Sequence, residues 1–182
     1  MKIRYDIRWM VYCAMLTALT VVLSRFASFY IIPPNGLRMS FEGIPIVVAA
    51  VWLGPLGGLI VGGLSDVIGA LLFPVGAYFP AFTVTPLLFG LITGVMMIYV
   101  FKGERKLWQF AVGILTAELL ANVLWGSFAV KLYFDMLGTS DLGYLAWVAA
   151  RLPGRAILYA VNTLLSFALV KTIDRIATPK AV

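Results

Sequence analysis

The segment TAELLANVLWG carries the first chemical signal. Glu118 and Asn122 stand four residues apart, so on a helix they share one face, with Trp125 close to it. A carboxylate accepts from ring N–H and amino donors, an amide both donates and accepts, and an indole stacks. Such a trio suits a flat heteroaromatic ring; a polar clasp between two helices is the competing reading. Four arginines give the second signal. Arg25, Arg38, Arg151 and Arg155 flank or interrupt apolar runs. A guanidinium grips a carboxylate through parallel N–H donors, so four of them converging would select a carboxylated ligand. Taken singly, each also fits a side chain snorkelling to lipid headgroups. The third signal is GAYFPAFT, which offers Tyr78, Phe79, Phe82 and Thr83 with no charge. Pro74 and Pro80 restrict its backbone, which suits a lid that orders cheaply over a ligand; an interfacial aromatic belt is the alternative. Asp66, within GGLIVGGLSDVIGA, is the acid set deepest in an apolar run. It reads either as a ligand or proton site or as a structural carboxylate.

These residues must be positioned by membrane helices. The chain is 62% hydrophobic and 12% charged, against about 25% charged residues in soluble domains. Its mean hydropathy is +0.99, and its apolar runs approach or exceed the roughly 18 residues that mark a transmembrane helix. Histidine is absent, which removes imidazole metal sites and nucleophiles activated by histidine. Cys13 is the only cysteine and cannot form an internal disulfide. No GxxxxGK[ST] pattern occurs, so ATP hydrolysis would need another chain. No cofactor is implied. The basic, then apolar, N-terminus lacks a small-x-small cleavage site, which predicts an uncleaved first helix.

Six spans are expected in one domain covering residues 1–182, an all-α integral membrane fold. They run from about Trp9 to Phe29, Glu42 to Leu53, Pro55 to Phe73, Val84 to Phe101, Leu107 to Phe134, and Tyr144 or Arg151 to Ile176. The second is short for a crossing. RLPGR, residues 151–155, is expected to break the start of the sixth. Gly54, Gly58 and Gly62 recur every four residues and predict a close helix–helix approach. The two termini and KGERK hold nine of the fourteen basic residues and three of the eight acids, a net of +6 that leaves the rest of the chain neutral. The positive-inside rule then places both termini in the cytoplasm. The charge is therefore topological. It predicts contact with anionic lipid rather than nucleic acid.

The motifs resemble those of one family. RxSFxxIPI appears at Arg38, Ser40, Phe41, Ile44, Pro45 and Ile46; GPxxGxxVGxxSDxIG runs from Gly54 to Gly69; YFPxFT runs from Tyr78 to Thr83. The chain resembles the S components of energy-coupling factor (ECF) vitamin transporters over nearly its whole length, most like the folate-specific subgroup. The middle motif is shared among S components for different vitamins; the outer two point to folate. Position 81 departs from the subgroup, carrying alanine where glycine is expected. That would be strained if the backbone there needed positive φ.

The resemblance implies six helices around an outward-opening vitamin pocket, covered by the first, third and fifth loops. It implies binding without chemistry, and docking onto a transmembrane coupling subunit that carries two cytoplasmic ATPases. Rotation in the plasma membrane then delivers the vitamin. Ala14 and Ala18 match the AxxxA motif by which helix one meets the coupling subunit. A folate-like ligand also fits the residues independently: pterin near Phe82, Glu118, Asn122 and Trp125, glutamate tail toward Arg25 or Arg38. Rival readings are another ligand (a different pterin, hydroxymethylpyrimidine or riboflavin), a stand-alone channel or secondary transporter, and an intramembrane enzyme. No internal repeat supports a secondary transporter, and no acid–base pair supports an enzyme.

Overall fold

The second span, GIPIVVAAVW, has no polar face, and a helix apolar on every side must be surrounded. In the computed structural model it forms helix α2, Gly43–Trp52, with Gly43 through Val51 all buried. The structure describes residues 6–32, 37–74, 78–102, 106–138 and 143–177, with the side chains of 29–32 and 37–39 outside that set. Around α2 stand α1 (Ile7–Phe26), α3 (Pro55–Leu72), α4 (Pro80–Val100), α5 (Leu107–Leu137) and α6 (Tyr144–Ala177). These five are long and apolar enough to cross a membrane; α2 is not. The expected six-helix membrane fold is thus observed.

Local chemistry sets several boundaries. Asp6 caps α1 by accepting from the Trp9 backbone N–H at 3.2 Å. Gly54 turns the chain between α2 and α3 at φ 87°, a left-handed conformation that favours glycine, and Pro55 then starts α3 where no N–H is needed. Trp9 Nε1 donates to the Leu53 carbonyl at 3.0 Å, so this turn lies beside the start of α1. α2 has therefore brought the chain back to the end it came from. Gly138, at φ 63°, closes α5 in the same left-handed manner.

The glycine stripe on α3 meets α4. A Cβ at Gly62 would collide with the Pro86 carbonyl oxygen, and one at Gly90 with the carbonyl oxygen of Gly58. The two backbones touch with no side chain between them, the close approach expected from the sequence. Pro86 lies inside α4 at this contact. Below it the core closes with Val61, Phe89, Met97, Phe110 and Ile114 packed against Ile46 and Val47 of α2.

Three expectations need correction, and the winding of two helices departs from α. α1 ends at Phe26, and SFYII is a strand: β1 (Ser28–Ile32) pairs antiparallel with β2 (Leu37–Ser40), from Ser28 opposite Ser40 to Ile32 opposite Leu37. Its apolarity merges with the helical run before it, which hid an aromatic, β-branched segment. α4 begins at Pro80, not Val84, because proline is well suited to the first helical position. PAFT is therefore a helical turn rather than a loop, and residues 75–77 lie outside the described set. RLPGR does not break α6, which runs through Pro153 without interruption. The proline removes one backbone donor, and in a bundle neighbouring helices compensate for that. Finally, α5 is π-wound over Glu118–Trp125, and α4 over its last turn, Met96–Val100.

The α3–α4 contact makes a sharp prediction. Gly90→Val should lower stability in detergent by about 1–3 kcal/mol, because the added atoms meet backbone. Gly63→Ala, whose Cβ would meet only the Leu87 side chain at 3.4 Å, should melt like the parent. Equal melting temperatures for all three proteins would show that the contact is looser than described.

Candidate functional site

Because α2 is short, space is left at its N-terminal end. A cavity of about 190 Å³ occupies it, with Glu42, Gly43 and Ile46 on one side. Helical spacing explains which other residues reach it. α4 contributes Phe82, Thr85, Pro86 and Phe89, and α6 contributes Arg151, Arg155, Leu158 and Asn162. Both sets repeat at three- and four-residue intervals, the signature of one helix face. α1 adds Ser24 and Arg25, β2 adds Ser40, α3 adds Ser65 and Asp66, and α5 adds Glu118 and Asn122.

Glycines make room for the polar side chains. A Cβ at Gly69 would stand 2.9 Å from Arg25 Nε; one at Gly126, 3.0 Å from Arg151 Nη1; one at Gly43, 2.9 Å from Asn162 Nδ2. Each polar group thus lies flat against a bare backbone. Four buried atoms of the lining have no hydrogen-bond partner among the described residues: Arg25 Nε, Glu118 Oε2, Arg151 Nη1 and Asn162 Oδ1. Most buried polar atoms are paired, and leaving one unpaired costs about 1–3 kcal/mol. Glu118 is only 3% exposed. Arg155 Nη1 stands 3.8 Å from its Oε2, too far for a direct bond.

Asp66 is held from α4. Thr83 Oγ1 donates to Asp66 Oδ2 at 2.7 Å, and Tyr78 Oη lies 2.9 Å from Thr83 Oγ1. Thr83 has one proton and gives it to the carboxylate, so the Tyr78 hydroxyl is the donor to Thr83. Phe82 faces the cavity and is buttressed by Phe79 and Tyr133, the three rings lying pairwise at 5.5–5.6 Å. Among the described residues, no group of three or more metal-ligating side chains comes together.

The structure brings together Arg25, Asp66, Phe82, Glu118, Asn122, Arg151 and Arg155. Tyr78, Phe79 and Thr83 do not line the cavity and support residues that do. The Arg38 side chain lies outside the described set. Trp125 is displaced from its expected place: it does not line the cavity but donates from Nε1 to the Ala81 carbonyl at 3.1 Å. In the π-wound stretch each residue turns the chain through a smaller angle than in an α-helix. A position seven residues after Glu118 therefore does not return to its face. Ala81 itself is helical, and no strain arises at it. Ala14 and Ala18 are exposed along α1. The lining residues not singled out in the sequence include Glu42, Phe89 and Asn162. Asn162 was within reach, since it continues the Arg151–Arg155–Leu158 face.

Comparison with known proteins agrees with this architecture. Residues 8–173 match the family described as "ECF transporter, substrate-specific component". A folate transporter, FolT, from Clostridium novyi (strain NT) is 33% identical over 173 residues, covering 92% of this chain and 90% of the relative. A second FolT, from Leuconostoc mesenteroides, is 28% identical, covering 90% and 85%. A crystal structure of FolT bound with folic acid superposes with a TM-score of 0.71 at 26% identity, over 90% of this chain and 91% of the other. An S component of a bacterial ECF transporter shares the fold, with a TM-score of 0.71 at 20% identity over 94% and 98%. The match across nearly all of the chain, together with the six-helix membrane fold, places this protein in the family of substrate-specific components of ECF transporters, as a transport subunit and not an enzyme.

Proposed function

We propose that this chain is the folate-binding subunit of an ECF importer in the plasma membrane. The observation that carries this reading is the set of four buried polar atoms around one cavity that have no hydrogen-bond partner among the described residues, beside the apolar faces of Phe82 and Phe89. Folate offers what that set lacks. Its flat pterin presents N–H, amino and carbonyl groups to Glu118, Asn122 and Asn162, and a face to Phe82. Its two carboxylates suit guanidiniums. Glu118 lies eleven residues into α5, whereas Arg25 is the penultimate residue of α1. The pterin therefore takes the deep position and the glutamate tail the mouth, near Arg25. The relatives named above as folate transporters, and the related structure holding folic acid, support the same ligand.

The direction of transport follows from charge. On the positive-inside rule the basic termini and KGERK go to the cytoplasmic side, and the α2–α3 turn, hydrogen-bonded to the start of α1 through Trp9 and Leu53, goes with them. The cavity lies toward the opposite end, where α1 and α3 finish and α4 and α6 begin, so it receives vitamin from outside. The exposed Ala14 and Ala18 stripe supplies a low-profile face for the transmembrane coupling subunit, which carries the two ATPases.

Titration calorimetry on purified protein tests the ligand. Folate should bind, and Arg25→Ala should weaken folate about tenfold or more while leaving free pterin nearly unchanged. Gly69→Ala keeps every charge but displaces the Arg25 guanidinium, and should act in the same direction. Equal losses for folate and pterin would remove Arg25 from the tail site. For the docking face, Ala14→Trp should leave folate affinity unaltered and abolish uptake in cells that supply the coupling subunit and ATPases. Undiminished uptake would place the contact elsewhere.

A further inference from the structure

The Oε2 atom of Glu118, which has no hydrogen bond among the described residues, does not stand alone. Arg155 Nη1 is 3.8 Å from its Oε2, on the facing helix, and both side chains line the cavity. At that spacing the two groups do not satisfy each other. They present a buried acceptor beside a cationic donor, an arrangement complementary to a ring edge with an N–H next to a C=O. The 4-oxopteridine ring of folate has such a lactam edge, with N3–H beside O4. A 4-aminopteridine offers an amino group in place of O4, which would meet the Arg155 guanidinium donor to donor.

We propose that Glu118 and Arg155 together select 4-oxopteridines against 4-aminopteridines, with Arg155 setting the preference. This rests on the folate reading above. Glu118 by itself would not discriminate in this direction, since a carboxylate accepts readily from the amino groups of a diaminopteridine and from its N1–H once the ring is protonated. The discrimination comes from the cation beside it. Sites built to hydrogen-bond a particular group reject analogues that leave the site's own polar atoms unpaired.

The test compares folic acid with its 4-amino-4-deoxy analogue, which has the same aminobenzoyl and glutamate portions, by titration calorimetry on the full chain in detergent. The parent protein should prefer folic acid by at least about tenfold, the lower part of what one well-made polar pairing discriminates. Arg155→Met should reduce that preference to near unity, mainly by weakening folic acid. Arg155→Lys, which keeps a donor and a charge, should retain part of it. If the parent binds both compounds equally, or prefers the 4-amino analogue, the pair does not select. A parent that binds the two unequally but keeps the same ratio after Arg155→Met assigns the selection to other residues and also overturns the proposal. Failure of the parent to bind either compound would instead contradict the folate reading itself.

Discussion

Ten residues of α-helix rise about 15 Å, half of a hydrocarbon core that is about 30 Å thick. α2 is such a helix, and its residues leave no polar side to face water or lipid headgroups. It can be stable only as a post inside the bundle, and a post of half height leaves the remaining depth to be filled. Charged side chains in apolar spans face the converse problem. Exposing one to lipid at mid-depth costs roughly 2.5–3.5 kcal/mol on insertion scales. Both constraints are met at once when the arginines, acids and amides of the surrounding helices turn inward over the end of α2. The cavity is the space where they meet without being able to neutralise one another completely.

The other features serve this arrangement. Contact between the backbones of α3 and α4 through Gly58, Gly62 and Gly90 fixes the wall that bears Asp66 and Phe82. Tyr78 and Thr83 restrain Asp66, while Phe79 and Tyr133 restrain Phe82. Gly69, Gly126 and Gly43 let Arg25, Arg151 and Asn162 lie against the wall instead of filling the cavity. The stabilising interactions lie mostly behind the lining, whereas the lining itself keeps polar atoms unpaired. A membrane protein that only had to be stable would gain by pairing or removing them.

Much of this was readable in the chain, for physical reasons specific to each part. Apolar run lengths fixed the helices, because the bilayer sets length. Arg25, Asp66, Glu118, Arg151 and Arg155 were recognisable because charge in an apolar run must have a partner or a purpose. Trp125 was misplaced because helical-wheel reasoning assumes α winding, and nothing local in ELLANVLW announces a π stretch. The continuous α6 was missed because Pro153 reads as a breaker in water, where no neighbouring helix compensates. The β1–β2 hairpin was missed because a strand beside a membrane helix shares its apolarity. Phe89 looked like any core residue, since its exposure to a cavity is a property of packing. Asn162 was overlooked for a different reason: it lacks charge, although its helix face was plain.

On the proposed function, the unpaired polar atoms above α2 are held for a pteridine carrying a carboxylated tail. Mass spectrometry of the small molecule that co-purifies with the protein from its native membrane tests this most directly. Folate or a close folate derivative is the predicted result. A co-purifying flavin, or a pyrimidine without carboxylates, would contradict it.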